Sequence, residues 1–134
     1  MQTAARDWGA IEPERAGAAA FRTFFRIAEA WELTAEEQMT LLGIASRSTY
    51  YKWRHDPPTR LSPDLLERLS YLFGIYKDLQ VLLPEPAAAV DWVRKPFDAP
   101  LFSGRSALDR MLSGRVADLY VVRQYLDAER GGWP

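Results

Sequence analysis

Residues 41–58, LLGIASRSTYYKWRHDPP, decide the fold of the first half of this chain. Gly43 ends one helix, and Ser46 is a favourable N-cap for the next one. That second helix must stop before the Pro57–Pro58 pair, because proline excludes helical angles from the residue that precedes it. The segment therefore predicts two short helices joined by a glycine turn, which is the arrangement of a helix-turn-helix.

The second helix of this pair carries polar and basic residues on its predicted outer face. With Tyr50 and Trp53 turned towards the core, six residues remain for contact with DNA: Arg47, Ser48, Thr49, Tyr51, Lys52 and Arg54. From Ile44 to Arg60 there are four basic residues and one acidic residue, a local charge of +3 in a chain of net charge -1. Such a patch suits phosphate neutralisation. A solvated basic helix in any helical bundle has the same pattern, so both interpretations stay open.

The residues before this pair are predicted to be helical as well. Apolar residues at steps of three and four from Phe21 to Trp31 indicate an amphipathic helix from Ala18 to near Leu33. Thr34 and Glu37 have the spacing of a capping box. The helix that Gly43 ends is therefore expected to begin after Thr34.

A long helix is predicted to open at Ser62 and Pro63, and it carries a strongly apolar seam. The seam consists of Leu65, Leu69, Leu72, Tyr76 and Leu79. It has two interpretations: the core of a single chain, or the contact surface of a two-fold dimer that would supply two recognition helices to two half-sites. The spacing alone does not separate them.

Pro84 and Pro86 end the long helix and mark the predicted boundary between two units. We predict an arm at 1–17, a helix-turn-helix unit at 18–83 and a second unit at 84–134. The elements predicted for the second unit are a helix at 87–94, an ordered loop at 95–103, a short helix opened by Ser106 and a last helix at about 115–130. No run of residues has the alternation of a strand, so the predicted fold class is all-α.

The last residues, RGGWP, place a large aromatic side chain after two glycines. The glycines form a flexible joint between the last helix and Trp133. This segment is either disordered or inserts into a pocket of another protein, where tryptophan and arginine commonly dominate the binding energy.

The chain offers little for catalysis. Its 134 residues include no cysteine and one histidine, His55, which excludes thiol chemistry, disulfides and a histidine pair for a metal ion. The glycines do not fall in the spacings of dinucleotide or phosphate-binding loops. We therefore expect no enzyme activity, no catalytic residue, no metal site and no cofactor. The absence of a signal-like N-terminus and of an apolar window long enough to span a bilayer predicts a soluble, cytoplasmic protein with no membrane partner.

Three blocks of the sequence resemble a known family, the Xre/MbcA/ParS antitoxins that partner RES-domain toxins. The blocks are LLGIASRSTYYKWR at 41–54, LSPDLLERLSYLFGIYKDLQVLLP at 61–84 and PLFSGRSALDRMLSGRVADLYVVRQYLDAERGGWP at 100–134. The resemblance covers nearly everything from about Phe21 onward.

The resemblance implies an Xre-like helix-turn-helix that binds the operon's own promoter as a homodimer, followed by a small α-helical toxin-binding domain. RES toxins are NAD-consuming or ADP-ribosyltransferase-like enzymes, and the family's antitoxins cover the entrance to the NAD pocket. The toxin-facing residues that match the family's terminal motif are Asp118, Tyr120, Arg123, Gln124, Asp127, Arg130, Gly131, Gly132 and Trp133. The alternative is a stand-alone helix-turn-helix regulator whose second unit dimerises or senses a ligand, and an adaptor without DNA binding is a third interpretation.

Overall fold

The computed structural model describes residues 16–131, and every regular element in that part of the chain is an α-helix. The helices are α1 (Ala16–Ala30), α2 (Ala35–Leu42), α3 (Arg47–His55), α4 (Pro63–Leu82), α5 (Pro86–Arg94), α6 (Ala107–Met111) and α7 (Val116–Glu129). Helices α2 and α3 are the predicted helix-turn-helix pair. For the described residues the prediction of an all-α fold, with a helix-turn-helix unit followed by a second helical unit, is confirmed.

The residues predicted to cap the helices form capping hydrogen bonds in the structure. Thr34 and Glu37 form a capping box at the start of α2, and Gly43 ends that helix in a left-handed conformation with φ of 72°. Serine hydroxyls accept from backbone amides at the starts of three helices: Ser46 for α3, Ser62 for α4 and Ser106 for α6. The helix boundaries are therefore determined locally.

α1 begins at Ala16, earlier than the predicted Ala18, so the last two residues of the predicted arm are helical. Gly17 permits a close contact there, because its amide donates to the Thr59 carbonyl at 3.2 Å. A Cβ atom on Gly17 would lie 1.5 Å from the carbonyl oxygen of Pro58. The other residues of the predicted arm, 1–15, lie outside the described residues.

A single hydrophobic core runs through both units. Its largest fully buried side chains include those of Trp31, Tyr50, Phe21, Phe24 and Met111. Most of the apolar seam of α4 belongs to this core, since the exposed fractions of Leu65, Leu69, Leu72 and Leu79 are 5%, 0%, 0% and 1%; Tyr76 is half-buried. Core packing therefore accounts for the four leucines of the seam, and they are not accessible to a second chain.

A side chain of the second unit forms hydrogen bonds with the turn between α1 and α2. α1 ends at Ala30, before the predicted Leu33, and Glu32 adopts a left-handed conformation with φ of 57°. The Arg94 guanidinium, at the end of α5, donates from Nη2 to the carbonyl oxygens of Trp31 at 2.9 Å and Glu32 at 2.7 Å. A side chain of the second unit thus satisfies backbone acceptors that the end of α1 leaves open.

The connection between α5 and α6 is an ordered loop, as predicted, and it covers the core with aromatic rings. Phe102 is 2% exposed, and its ring centroid lies 4.7 Å from that of Phe97 and 5.3 Å from that of Tyr125. Trp92 on α5 contacts the same three rings. This cluster joins α5 and the loop to α7.

Candidate functional site

The recognition helix, α3, is fixed to the core by a chain of buried hydrogen bonds. Tyr50 is 1% exposed, and its hydroxyl donates to Oε1 of Gln38 at 2.6 Å. Gln38 in turn donates from Nε2 to the carbonyl of Leu33 at 3.1 Å. Trp53 is half-buried, with its ring edge-on to Phe21. The prediction that Tyr50 and Trp53 face inward is confirmed.

The six residues predicted for DNA contact lie together on the outer side and flank of α3. Five of them are exposed and Thr49 is half-buried, and the exposed fraction of Tyr51 is 45%. No acidic residue in the described part of the chain pairs with Lys52. Exposed hydroxyl, phenol and ammonium groups on one helix face are suited to the major groove.

Both arginines among the six contact other helices of the chain, and the Ser48 hydroxyl lies within hydrogen-bond distance of that of Ser46, at 3.0 Å. Arg54 donates from Nη1 to the Tyr50 hydroxyl at 3.1 Å, and its guanidinium carbon lies 5.1 Å from the centroid of the Phe25 ring. Arg47 forms an ion pair with Glu36 of α2. These arginines orient α3 against its neighbours, which leaves fewer unpaired cations on this helix than the sequence predicts.

A groove of about 540 Å³ lies beside the recognition helix, and its lining includes two arginines of α1. Arg22 and Arg26 are exposed, and they share the groove with Arg54. Glu29 and Glu32 line it as well, so the groove carries both signs of charge. The sequence analysis did not select these arginines, although their spacing of four residues places them on one face of α1.

Of the residues predicted to face the toxin, Asp118 is buried in a polar network at the start of α7. It is 6% exposed and accepts hydrogen bonds from Arg110 at 2.8 Å, Ser113 at 2.5 Å and Arg115 at 3.3 Å. The bond from Ser113, together with those from the two arginines, lowers the pKa of Asp118. Within the free chain this carboxylate joins α6 and the following turn to the first turn of α7 and is not presented to a partner.

Arg123 packs across α4 where Gly74 leaves space. A Cβ atom on Gly74 would lie 2.4 Å from Nε of Arg123, and the guanidinium donates from Nη1 to the Ser70 carbonyl at 3.5 Å. Nε also lies 3.6 Å from Oδ2 of Asp127. This arginine therefore holds α7 against α4.

Asp127 and Arg130 meet a buried carboxylate of α4. Arg130 donates from Nη1 to Oδ1 of Asp78 at 2.8 Å. Burial and the adjacent Asp78 raise the pKa of Asp127 from 3.8 to about 6. A protonated Asp127 can donate a hydrogen bond to Asp78, whereas two adjacent ionised carboxylates repel each other.

Tyr120 and Gln124 form an exposed patch on α7. Tyr120 is 46% exposed, and Gln124 donates from Nε2 to its hydroxyl. The Tyr120 ring lies edge-on to Tyr71 of α4, with 5.5 Å between the centroids. Tyr71 donates to Glu67 at 3.1 Å, and burial with this hydrogen bond raises its pKa. In the sequence, Tyr71 is not distinguishable from the other half-buried residues beside the seam residue Leu72.

At the end of α7 the chain turns at Gly131, whose φ is 74°. A left-handed residue after a helix is typically glycine, because a side chain at that φ is strained. Gly132 and Trp133, the remaining residues predicted to face a toxin, lie outside the described residues.

The described residues include no group of three or more potential ligands placed to hold a metal ion. His55 is exposed at the end of α3. Within residues 16–131, no helix is both long enough and apolar enough to cross a membrane.

Comparisons with known proteins match both halves of this fold. Residues 10–74 match the family model of the antitoxin Xre-like helix-turn-helix domain, and residues 78–132 match that of the antitoxin Xre/MbcA/ParS C-terminal toxin-binding domain. The chain is 51% identical over 114 residues to the uncharacterised protein y4oB of Sinorhizobium fredii, an alignment that covers 85% of this chain and 86% of that protein. Families of this kind are generally not enzymes. With a recognition helix in one matched segment and an exposed patch on α7 in the other, the chain belongs to the Xre/MbcA/ParS family of antitoxins.

Proposed function

We propose that this antitoxin neutralises a RES-domain toxin, an NAD-consuming or ADP-ribosylating enzyme, by covering the entrance to its active site with α7 and the tail, residues 131–134. The observation that carries the proposal is the position of the exposed Tyr120–Gln124 patch on the same helix that leads into the tail. An exposed aromatic ring beside an amide is suited to a protein interface, where tyrosine and tryptophan often supply most of the binding energy.

Inhibition by occlusion requires no chemistry from the antitoxin. Trp133 would fill apolar space in the toxin's pocket, and the tail would exclude NAD as long as α7 stays docked. This role agrees with a chain that has one histidine and no cysteine. In this proposal, the antitoxin's contribution is to bind tightly enough that the pocket remains closed.

The test uses the RES-domain protein encoded beside the antitoxin gene, co-expressed with the full chain or with a chain that lacks residues 131–134. We expect the truncated chain to lose neutralisation, measured as arrested growth and loss of cellular NAD, while its affinity for promoter DNA stays unchanged. Full neutralisation by the truncated chain would contradict a role for the tail. If the adjacent gene encodes no such protein and no second protein copurifies in stoichiometric amount, the chain is a stand-alone regulator.

We also propose that α3 represses the antitoxin's own promoter, with Ser48, Tyr51 and Lys52 reaching into the major groove. Their exposure supports this, while Arg47 and Arg54 orient the helix. Because the leucines of α4 are buried, the proposed homodimer would use other surfaces.

The DNA test is a mobility shift with the upstream promoter at several salt concentrations. Lys52→Ala should weaken binding and reduce the slope of log affinity against log salt by about one, if Lys52 neutralises one phosphate. Lys77→Ala, at an exposed lysine of α4, is the matched control. Equal slopes for the two variants would place the DNA on another surface. Sedimentation of the free chain and of its DNA complex measures whether a dimer forms.

A further inference from the structure

Asp78 is a buried carboxylate close to the end of α4. It is 2% exposed, and its Oδ1 atom accepts a hydrogen bond from Arg130 at 2.8 Å. Oδ2 is buried and accepts no hydrogen bond from the described residues. In the sequence Asp78 stands between Lys77 and the seam residue Leu79, where it has the appearance of a surface carboxylate.

A buried carboxylate needs a partner, since removing a charge from water without pairing it strongly destabilises the fold. That partner is Arg130, which directly follows α7 and lies 52 residues further along the chain than Asp78. Asp127, one turn earlier in α7, has its pKa raised by burial and by Asp78. Its protonated form is suited to donate a hydrogen bond to the Asp78 carboxylate.

The position of Arg130 gives this ion pair a consequence for the tail. The Arg130 amide donates to the Leu126 carbonyl at 3.0 Å, and the Gly131 amide donates to the Ala128 carbonyl at 3.0 Å. Gly131 then turns the chain out of the helix with φ of 74°. Among the described residues, Arg130 is thus the last one whose side chain binds another helix.

We propose that Asp78 is a positioning residue: its ion pair with Arg130 fixes the end of α7 and the turn at Gly131. A role of that fixed end in toxin binding rests on the proposed function; the anchoring itself does not. Although its side chain is 35% exposed, Arg130 then also has a role within the antitoxin, through its ion pair with the buried Asp78.

The experiment follows amide hydrogen exchange, residue by residue, in the full chain and in Asp78→Asn. We expect exchange of the Arg130 and Gly131 amides to accelerate about tenfold or more, the size expected for loss of a hydrogen bond to a charged group. Exchange within α1 to α3 should stay unchanged. Asp64→Asn is the matched control, because Asp64 accepts from Arg68 at 2.9 Å at the other, exposed end of α4.

Two further variants separate anchoring from general destabilisation. Arg130→Gln should accelerate the same amides, and the double variant with Asp78→Asn should exchange no faster than the faster single variant, because both changes break one pair. Arg130→Lys should restore part of the protection. Arg130→Gln leaves the buried Asp78 carboxylate without its cation; if that variant fails to fold, the double variant, which buries no unpaired charge, still gives the measurement.

Unchanged exchange at Arg130 and Gly131 in Asp78→Asn would overturn the proposal, as would acceleration spread evenly over all helices. The affinity for the RES-domain protein is measured on the same samples. A local acceleration with weaker toxin binding supports both proposals. A local acceleration with unchanged toxin binding supports the anchor and contradicts the role of the tail, so the two failures are distinguishable.

Discussion

Replacing Asp127 with asparagine should stabilise this protein at neutral pH, although it removes an ion pair. Asp127 lies 3.6 Å from Arg123, yet burial and Asp78 raise its pKa from 3.8 to about 6. The repulsion and desolvation therefore outweigh the attraction of Arg123 and Arg130. Asparagine keeps a hydrogen-bond donor for Asp78 at every pH and carries no charge.

The sign and size of the change in the free energy of unfolding follow from proton linkage. Because the pKa is higher in the folded state than in the unfolded state, the stabilisation is present below about pH 4 and is lost as the pH rises through about 6. The difference between a pKa of about 6 and the ordinary 3.8 corresponds to about 3 kcal/mol of unfolding free energy for a fully buried group. The Asp127 side chain is 41% exposed, so solvent screening reduces it, and we expect Asp127→Asn to gain roughly 1 kcal/mol at pH about 7.5.

The assay is urea unfolding followed by circular dichroism at about pH 4 and about pH 7.5. The quantity to compare is the difference between variant and parent at each pH, because the titration of groups common to both proteins then cancels. That difference should approach zero at the lower pH. Asp91→Asn, at an exposed aspartate of α5, is the control. A variant less stable than the parent at pH about 7.5 would refute the reasoning, since the ionised form would then be favourable.

Three more substitutions test contacts between helices and loops, and each is measured by thermal or urea unfolding. Gly17→Ala places Cβ against the Pro58 carbonyl and should destabilise by about 2 kcal/mol, because two backbone segments must separate; a change near zero would contradict this. Gly74→Ala meets only the flexible end of Arg123 and gains helix propensity, so its effect should be under about 1 kcal/mol. Tyr50→Phe leaves the buried Gln38 Oε1 without its donor and should cost about 1–2 kcal/mol; an unaffected variant would show that the hydrogen bond is dispensable.

The parts of the fold that depend on local sequence were predictable. Thr34 with Glu37, and Ser46, Ser62 and Ser106, cap helices within a few residues of themselves, and the structure has these caps. Each capping hydrogen bond joins residues within one turn of helix, so the spacing of the residues alone predicts it. The inward side of α3 was also predictable, because Tyr50 and Trp53 are spaced three apart in an otherwise polar helix and therefore share one face.

The contacts that the sequence does not reveal join residues far apart in the chain. Arg54 has a side-chain partner, Phe25, on another helix, and Arg130 reaches Asp78 across 52 residues. An arginine on a helix surface has the same appearance in a sequence whether it meets DNA, a toxin or its own fold. The seam of α4 was ambiguous for a related reason, since apolar residues at steps of three and four serve a core and a dimer equally well.

The family's terminal motif contains residues that hold the fold and residues that we propose touch the toxin, and in this antitoxin the two kinds differ in burial. Asp118 is 6% exposed and bonded to three side chains of its own chain, whereas Tyr120 is 46% exposed. Replacing a residue of the first kind weakens toxin binding through the folding equilibrium; replacing one of the second kind weakens it at the contact. A mutational scan read by neutralisation alone would assign both to the interface. The same scan read together with unfolding free energies would divide them, because only the contact residues lower toxin affinity without lowering stability.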